Sequence, residues 1–475
     1  MVKKICTARD CSPFEFSLPN IEKDLETLCK SFEQQNGESE DYEPISVQRY
    51  DNVSQSFQWL AGRYIGLAYI GGTEISIRPR FGENILLAIL ADVYNIKYTI
   101  HNASPNFSPD WFSSLLNILQ AKMWVERCAQ ANRYGLPHTN VKKGYQGVSI
   151  KGALDIPRTI TSWMTRREVC TNIFEKTFDD TICRIVYQAY LILSKKRITK
   201  KVKKEETKVG FGYSLPPAIQ DTINTLNSQY KGQVFDITEL DYQRIRYKSI
   251  YLIWKPLVDF SWSVIKNRQI GYNAADKHTT DCVFVDMAEI WEAFLRKKLA
   301  EGFADTDWRV LSVEECTYIT YKGTFYQRNI IPDIILEKEK DDGTKEYMVF
   351  DAKYKRMRGK RRQVKDSDVD RSDFFQIHTY IQYVNRCIGK VIMGGLLYPL
   401  LEDITQHIES YSSENLFINE NSIEPHPIKF IVDGVYCPEV DPSNEDKYDN
   451  TSVDGLNSNV EAMIKRLKKY AGIEK

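Results

Sequence analysis

NIIPDIILEKEKDDGTKEYMVFDAKYK, residues 329–355, decides how the rest of the chain is read. Apolar runs at 330–336 and 347–350 flank a polar turn that contains Gly343, the pattern of a β-hairpin. Each strand carries one aspartate in apolar company, Asp333 after Pro332 and Asp351 two places before Lys353. Side chains alternate along a strand, and opposed positions on antiparallel neighbours lie roughly 5 Å apart. Asp333 and Asp351 are therefore expected to converge at the sheet edge, with Lys353 on the same face. Two carboxylates that close repel unless a cation lies between them, and a hard ion such as Mg²⁺ suits two carboxylates, a main-chain carbonyl and waters. An ammonium beside them orients or helps deprotonate a water and offsets charge on a phosphate. The competing reading is an ordinary hairpin with solvated charges; Ile334, Ile335 and Phe350, together with the rarity of aspartate in strands, speak against it.

The surroundings are those of an ordinary globular protein. The chain has 475 residues, 42% hydrophobic and 27% charged, and its 64 Lys plus Arg balance 64 Asp plus Glu. Net charge thus argues neither for nor against nucleic acid. Ten cysteines are scattered with no C-x-x-C pair, as expected of reduced thiols rather than disulfides or zinc. The six histidines lack metal-ligand spacing. No apolar run reaches the roughly 18 residues that span a bilayer, and the opening MVKKICTARDCSPFEF has no apolar core of a signal peptide. The expectation is a cytoplasmic protein without a membrane.

Apolar periodicity predicts an α/β multidomain chain. A poorly defined segment covers 1–55, and an α+β domain covers 56–158, with a Gly71-Gly72 hairpin, a helix from Asn84 and a longer helix over 109–134. A helical middle region follows at 159–270, with helices at 217–229 and 243–267 and, over 195–217, a loop or hinge whose first part, 195–209, is basic. Residues 271–438 read as helix (282–300), strand (around 307–320), strand (329–337), strand (346–354), helix (372–386) and strand (390–398), an α-β-β-β-α-β core. A tail with a helix occupies 439–475. Arg78-Pro79-Arg80 at a strand end reads as a contact for a partner or DNA, or as a plain surface loop.

Pro332-Asp333 followed by Asp351-Ala352-Lys353 resembles the PD-(D/E)XK nuclease pattern, with 351 − 333 = 18 positions between the acids. In that superfamily a preceding helix often supplies a glutamate, here Glu292, with Glu289 one turn earlier as the rival. A following helix carries Q-x-x-x-Y, here Gln376 and Tyr380. VFVDMAEIWEAFL, DFFQIHTYIQYVN and GGLLYP further resemble the nuclease domain of the McrC family, the cleavage subunits of McrBC restriction systems, and the likeness extends diffusely over about 60–435. The resemblance implies a Mg²⁺-dependent endodeoxyribonuclease of anti-phage defence, taking one or two ions with Mn²⁺ as a substitute. Asp333, Asp351, Glu292 and the Ala352 carbonyl would hold the metal, Lys353 would position water, and Gln376 and Tyr380 would steady the DNA. Arg358, Lys360, Arg361 and Arg362 would follow the DNA backbone. It also implies a partner, a McrB-like AAA+ GTPase hexamer; this sequence has no G-x-x-x-x-G-K-[ST] loop of its own. The rival functions are a non-cleaving adaptor of an AAA+ motor and a stand-alone repair nuclease.

Overall fold

The computed structural model describes residues 4–14, 19–36, 45–49, 57–70, 73–94, 109–195, 217–273, 283–322, 327–355, 370–401, 428–439 and 453–473. Contacts divide the chain into two units, 1–108 with 284–475, and 109–283. The basic residues Arg358, Lys360, Arg361 and Arg362, the Gly71-Gly72 link and nearly all of the 195–209 stretch lie outside the described residues.

The first unit begins with β1 (Lys4–Arg9), α1 (Pro19–Asn36), β2 (Ile45–Arg49), β3 (Phe57–Ala61), β4 (Tyr64–Ile70), β5 (Thr73–Arg78) and α2 (Glu83–Tyr94). β4 and β5 pair antiparallel with Ile70 opposite Thr73, as a two-residue connection requires, and β1 runs parallel to β5. The polar positions of β5 do not face water. Thr73, Glu74 and Ser76 are buried along with Ile75 and Ile77, because β5 lies inside its sheet and α1 covers it, with Thr73 donating to Asp24 at 2.6 Å.

The second unit contains α3 (Pro109–Ala131), β6 (His138–Gly147), β7 (Ala153–Leu154), α4 (Ile156–Arg166), β8 (Val169–Phe178), α5 (Asp180–Lys195), α6 (Pro217–Tyr230), α7 (Glu239–Gln243) and α8 (Lys255–Asn273). Trp124, Tyr187, Trp254 and Trp262 lie in its core, and Trp124 donates to the buried Ser261 at 3.0 Å. The helix predicted over 243–267 begins only at Lys255, after a 3₁₀ turn at Ser249–Trp254. Pro256 explains the late start, since proline is tolerated in the first helical turn and not in the interior. β6, β7 and β8 form a small sheet with α4 packed on β8, and most of its surface is exposed.

The chain then returns to the first unit with β9 (Val283–Asp286), α9 (Met287–Gly302), β10 (Trp308–Val310), β11 (Tyr318–Lys322), β12 (Gln327–Ile330), β13 (Ile334–Glu339), β14 (Lys345–Ala352), α10 (Arg371–Cys387), β15 (Lys390–Leu400), β16 (Lys429–Tyr436) and α11 (Val453–Tyr470). Three sequence expectations change here. The helix predicted from 282 starts at Met287, because 283–286 joins β4 as a strand and Asp286 caps the helix by accepting from the Ala288 N–H at 2.8 Å. The strand predicted near 307–320 is two short strands in different sheets, and the strand predicted over 329–337 breaks at Pro332, which has no N–H to give a ladder.

The five-stranded sheet runs β10-β13-β14-β15-β16, antiparallel up to β14 and parallel beyond it. Ile335, Tyr347 and Val349 pack on Ile377, Ile381 and Val384 of α10, while α9 also packs on β14. Two glycines permit close strand approach: a Cβ on Gly395 would lie 1.8 Å from the Ile431 carbonyl oxygen and one on Gly434 1.7 Å from that of Tyr398. The architecture is thus mixed α/β with several sheets.

Candidate active site

The β13–β14 register places Ile334 opposite Phe350, so the next pair outward is Asp333 and Asp351. By strand alternation both continue the face of Ile335 and Val349, which looks onto α10, and Lys353 continues it further. The hydrogen bonds agree. Asp333 Oδ2 accepts from the Ala352 N–H at 2.8 Å, bridging the ends of the two strands. Lys353 Nζ lies 2.6 Å from Asp351 Oδ2 and donates to Gln376 Oε1 at 2.8 Å, and Gln376 Nε2 donates to the Tyr380 hydroxyl at 2.8 Å. The Lys353 backbone N–H still reaches the Leu397 carbonyl at 2.9 Å, so the strand holds its register beyond the acid.

α9 supplies the third carboxylate. Glu292 is partly buried and close enough to feel the charge of Asp351, whereas Glu289 is exposed on the adjoining turn. Two residues that sequence reasoning passed over complete the surroundings. Arg296 pairs with Glu292 at 2.7 Å and also donates to the Asp333 carbonyl, from Nε at 3.1 Å, tying α9 to the entry of β13. Its only sequence signal is the (i, i+4) spacing from Glu292. Asp373, buried in the first turn of α10, meets Lys355 at 2.9 Å and Lys353 at 3.5 Å. In the sequence it reads as an ordinary helix-start acid.

The electrostatics are those of buried acids crowded together and only partly compensated by Lys353 and Arg296. Burial, then Asp351 and Glu292, push the Asp333 carboxyl up to about 8. Burial likewise raises Asp351 and Glu292 above their ordinary values, against the pull of Lys353 on the first and Arg296 on the second. Burial opposes the charge on Lys353, but Asp351, Asp373 and Asp333 outweigh it and its value is raised, so it stays an ammonium.

Asp351 is fully buried, and among the described residues no N–H or alcohol hydroxyl donates to its Oδ1. An orphaned buried oxygen is costly unless a cation meets it. The donors here are hard oxygens, which fits a Mg²⁺-like ion. Among the described residues no three His, Cys, Asp or Glu side chains already form a closed cage, and Arg296 holds Glu292, so Asp333, Asp351 and the Ala352 carbonyl are the donors nearest to hand.

A pH effect follows for the metal-free protein. Unfolded, Asp333 ionises near the ordinary aspartate value of about 3.9, and folded near 8. Between these values the folded state keeps a proton that the unfolded state has lost, so this contribution to stability is complete below the lower value and fades as pH rises through the upper one. With EDTA present, wild type is expected to lose more stability than Asp333→Asn between pH 5 and pH 8. Parallel urea midpoints for the two proteins across that range would refute the coupling.

The Arg78-Pro79-Arg80 turn departs from its sequence reading. Arg80 is 1% exposed and paired with the fully buried Asp10, and Arg78 pairs with Glu83 at 2.9 Å. Apolar packing drew this strand end inward, and two buried charges then required each other.

No curated protein matches the chain. One similar solved structure is the refined half-complex from a tetradecameric assembly of Thermococcus gammatolerans McrB AAA+ hexamers with bound McrC, at 13% identity, covering 95% of this chain and 100% of that chain, with a TM-score of 0.37. The cryo-EM structure of the Thermococcus gammatolerans McrBC complex is another, at 14% identity over 63% of this chain and 88% of that chain, with a TM-score of 0.32. A family model described as McrBC 5-methylcytosine restriction system component matches residues 60–399, a span that holds Glu292, Asp333, Asp351, Lys353, Gln376 and Tyr380.

Proposed function

Since the chain belongs to the McrBC 5-methylcytosine restriction system component family, we propose that it is the DNA-cleaving subunit of such a system, a metal-dependent endonuclease with a PD-(D/E)XK-type site, working with a separate AAA+ GTPase. The observation that carries this reading is the convergence of Asp333, Asp351 and Lys353 at one end of the sheet, with Glu292 and Gln376 from the flanking helices.

Asp333, Asp351 and the Ala352 carbonyl would hold Mg²⁺, with Mn²⁺ as a substitute and Glu292 reaching the same ion or a second. A bound divalent ion lowers the pKa of water and offsets phosphate charge. The protein's own groups do the rest. Lys353, held by Asp351 and Gln376, presents an ammonium to the scissile phosphate and to the attacking water. Gln376, anchored on Tyr380, keeps Lys353 from swinging away. Water oxygen bonds to phosphorus as the water gives up a proton to bulk solvent, one P–O ester bond breaks in line, and the leaving oxygen takes up a proton from solvent to depart as a hydroxyl. Arg358, Lys360, Arg361 and Arg362 follow this strand in sequence and would neutralise phosphates without reading bases.

The partner half of the proposal rests on the missing phosphate-binding loop and on the second unit. There α4 buries only Ser162 and exposes Ile160, Trp163 and Met164, with Met164 80% exposed, and the same unit also exposes Val148 and Phe174. A helix that turns large apolar side chains outward in this way is a candidate docking face. The AAA+ GTPase is expected to cover it. Replacing Trp163 and Met164 by Asp should leave the fold intact and weaken the complex roughly 30-fold, about 2 kcal/mol for loss of an anchor. Nucleotide hydrolysis should be absent in this chain alone and present with the partner. Undiminished co-purification and GTP-driven cleavage by the double variant would remove α4 from the interface, and site-specific cutting without any partner would favour a stand-alone nuclease.

A further inference from the structure

Lys353 is followed by Tyr354, whose ring is buried and gripped from the N-terminal part of the chain. The Arg80 guanidinium lies 4.5 Å over the Tyr354 ring and 4.6 Å over that of Phe81, and its Nη2 reaches the Lys355 carbonyl at 3.4 Å. Asp10 holds Arg80 in turn, Oδ1 accepting its backbone N–H at 2.6 Å while Oδ2 lies 3.4 Å from Nη1. Asp10 is fixed at the end of β1 by its own N–H on the Arg78 carbonyl at 2.9 Å. Tyr354 also meets Trp291, ring centroids 6.2 Å apart, and Trp291 directly precedes Glu292 on α9. Tyr354 is thus a wedge between the strand end that carries Lys353 and the helix that carries Glu292. Its grip comes from Asp10, which lies before the family-matched span, and from Arg80 within it.

We propose that Arg80, held by Asp10, is a positioning residue for the cleavage reaction: by clamping Tyr354 and the Lys355 carbonyl it sets where Lys353 and Glu292 stand. The inference rests on the nuclease reading above. A buried ion pair can often be exchanged for apolar groups at little cost in stability, so stability alone does not require a guanidinium here. What an apolar pair lacks is a planar cation that stacks on two rings and donates to a carbonyl at once. The strand beyond Ala352 has lost its antiparallel neighbour, since β13 starts only at Ile334. The carbonyl of Lys355 is therefore tied by Arg80 where no β13 residue pairs with it.

The test uses the full chain with its GTPase partner, duplex DNA and Mg²⁺. The double variant Asp10→Leu/Arg80→Met removes both members of the ion pair together. Expected are an unfolding temperature and DNA affinity close to wild type and a maximal cleavage rate at least about tenfold lower, since a misplacement of about 1 Å costs up to about 100-fold. Arg80→Lys keeps the charge beside Asp10 without the planar stack and should fall between. Tyr354→Leu, which leaves the ion pair whole, should lower the rate in the same way and serves if the double variant does not fold. A folded double variant, or a folded Tyr354→Leu, cutting within twofold of wild type overturns the inference, as does a rate loss wholly matched by lost DNA affinity. If Asp351→Ala abolishes cleavage while the clamp variants cut normally, only this inference falls; if Asp351→Ala still cuts, the nuclease reading itself has failed.

Discussion

Asp351→Ala and Lys353→Ala are each expected to lower DNA cleavage by about 10²–10³-fold or more, the size of losing one preorganised charge at a transition state, about 3–4 kcal/mol. The two should differ in stability. Asp351→Ala removes a fully buried carboxylate that repels Asp333 but also takes from Lys353 the anion 2.6 Å away, so the two effects on the metal-free protein oppose each other and its stability should change less than that of Lys353→Ala. Lys353→Ala removes a cation that faces Asp351, Asp373 and Asp333, and should cost stability as well as activity. Plasmid cleavage with Mg²⁺, GTP and partner measures the first effect and urea titration the second. Near wild-type cutting by either variant would dismiss these residues as the active site.

Arg466→Ala is expected to destabilise the first unit by about 3–5 kcal/mol, the usual cost of stranding a buried charge. Arg466 on α11 grips the fully buried Asp433 of β16 through two nitrogens, Nη2 to Oδ1 at 2.8 Å and Nε to Oδ2 at 3.0 Å, and also meets the Gly434 carbonyl at 3.0 Å. Burial raises the Asp433 carboxyl and Arg466 draws it back down; without the arginine it should rise further. Its folded value then stands above its unfolded one, so the variant is most stable at low pH and loses ground as pH rises. The deficit against wild type should thus be larger at pH 8 than at pH 5, and Arg466→Ala/Asp433→Asn should recover part of it. A variant whose denaturation midpoint matches wild type at pH 8 would show that α11 is dispensable to the sheet.

The elements the sequence made legible are those with strong local signals. The β13–β14 hairpin, α10 and α3 lie close to their expected positions because each has an apolar period bounded by turn or cap residues. Failures came where a local pattern had two readings. VFVD before α9 fits a helix as well as a strand and became a strand only because β4 offers an edge. β16 drew no expectation, and its place beside β15 depends on Gly395 and Gly434, whose role is visible only when two backbones meet.

Two aspartates and a lysine at a hairpin's spacing were readable from residues 329–355 alone, because strand alternation carries side chains to one face whatever surrounds them. Tertiary structure decided everything that depends on burial and on partners distant in sequence. It left Glu292 half-buried and Glu289 exposed, brought Arg296 to Glu292 and Asp373 to Lys353, and turned an apparent surface Arg-Pro-Arg turn into a buried contact on Tyr354. It also placed the first strand and the last helix with the sheet between them in chain order, as parts of one unit. The physical reason is that periodicity is a property of neighbours along the chain, whereas a buried charge takes its meaning from whichever opposite charge the fold brings to it.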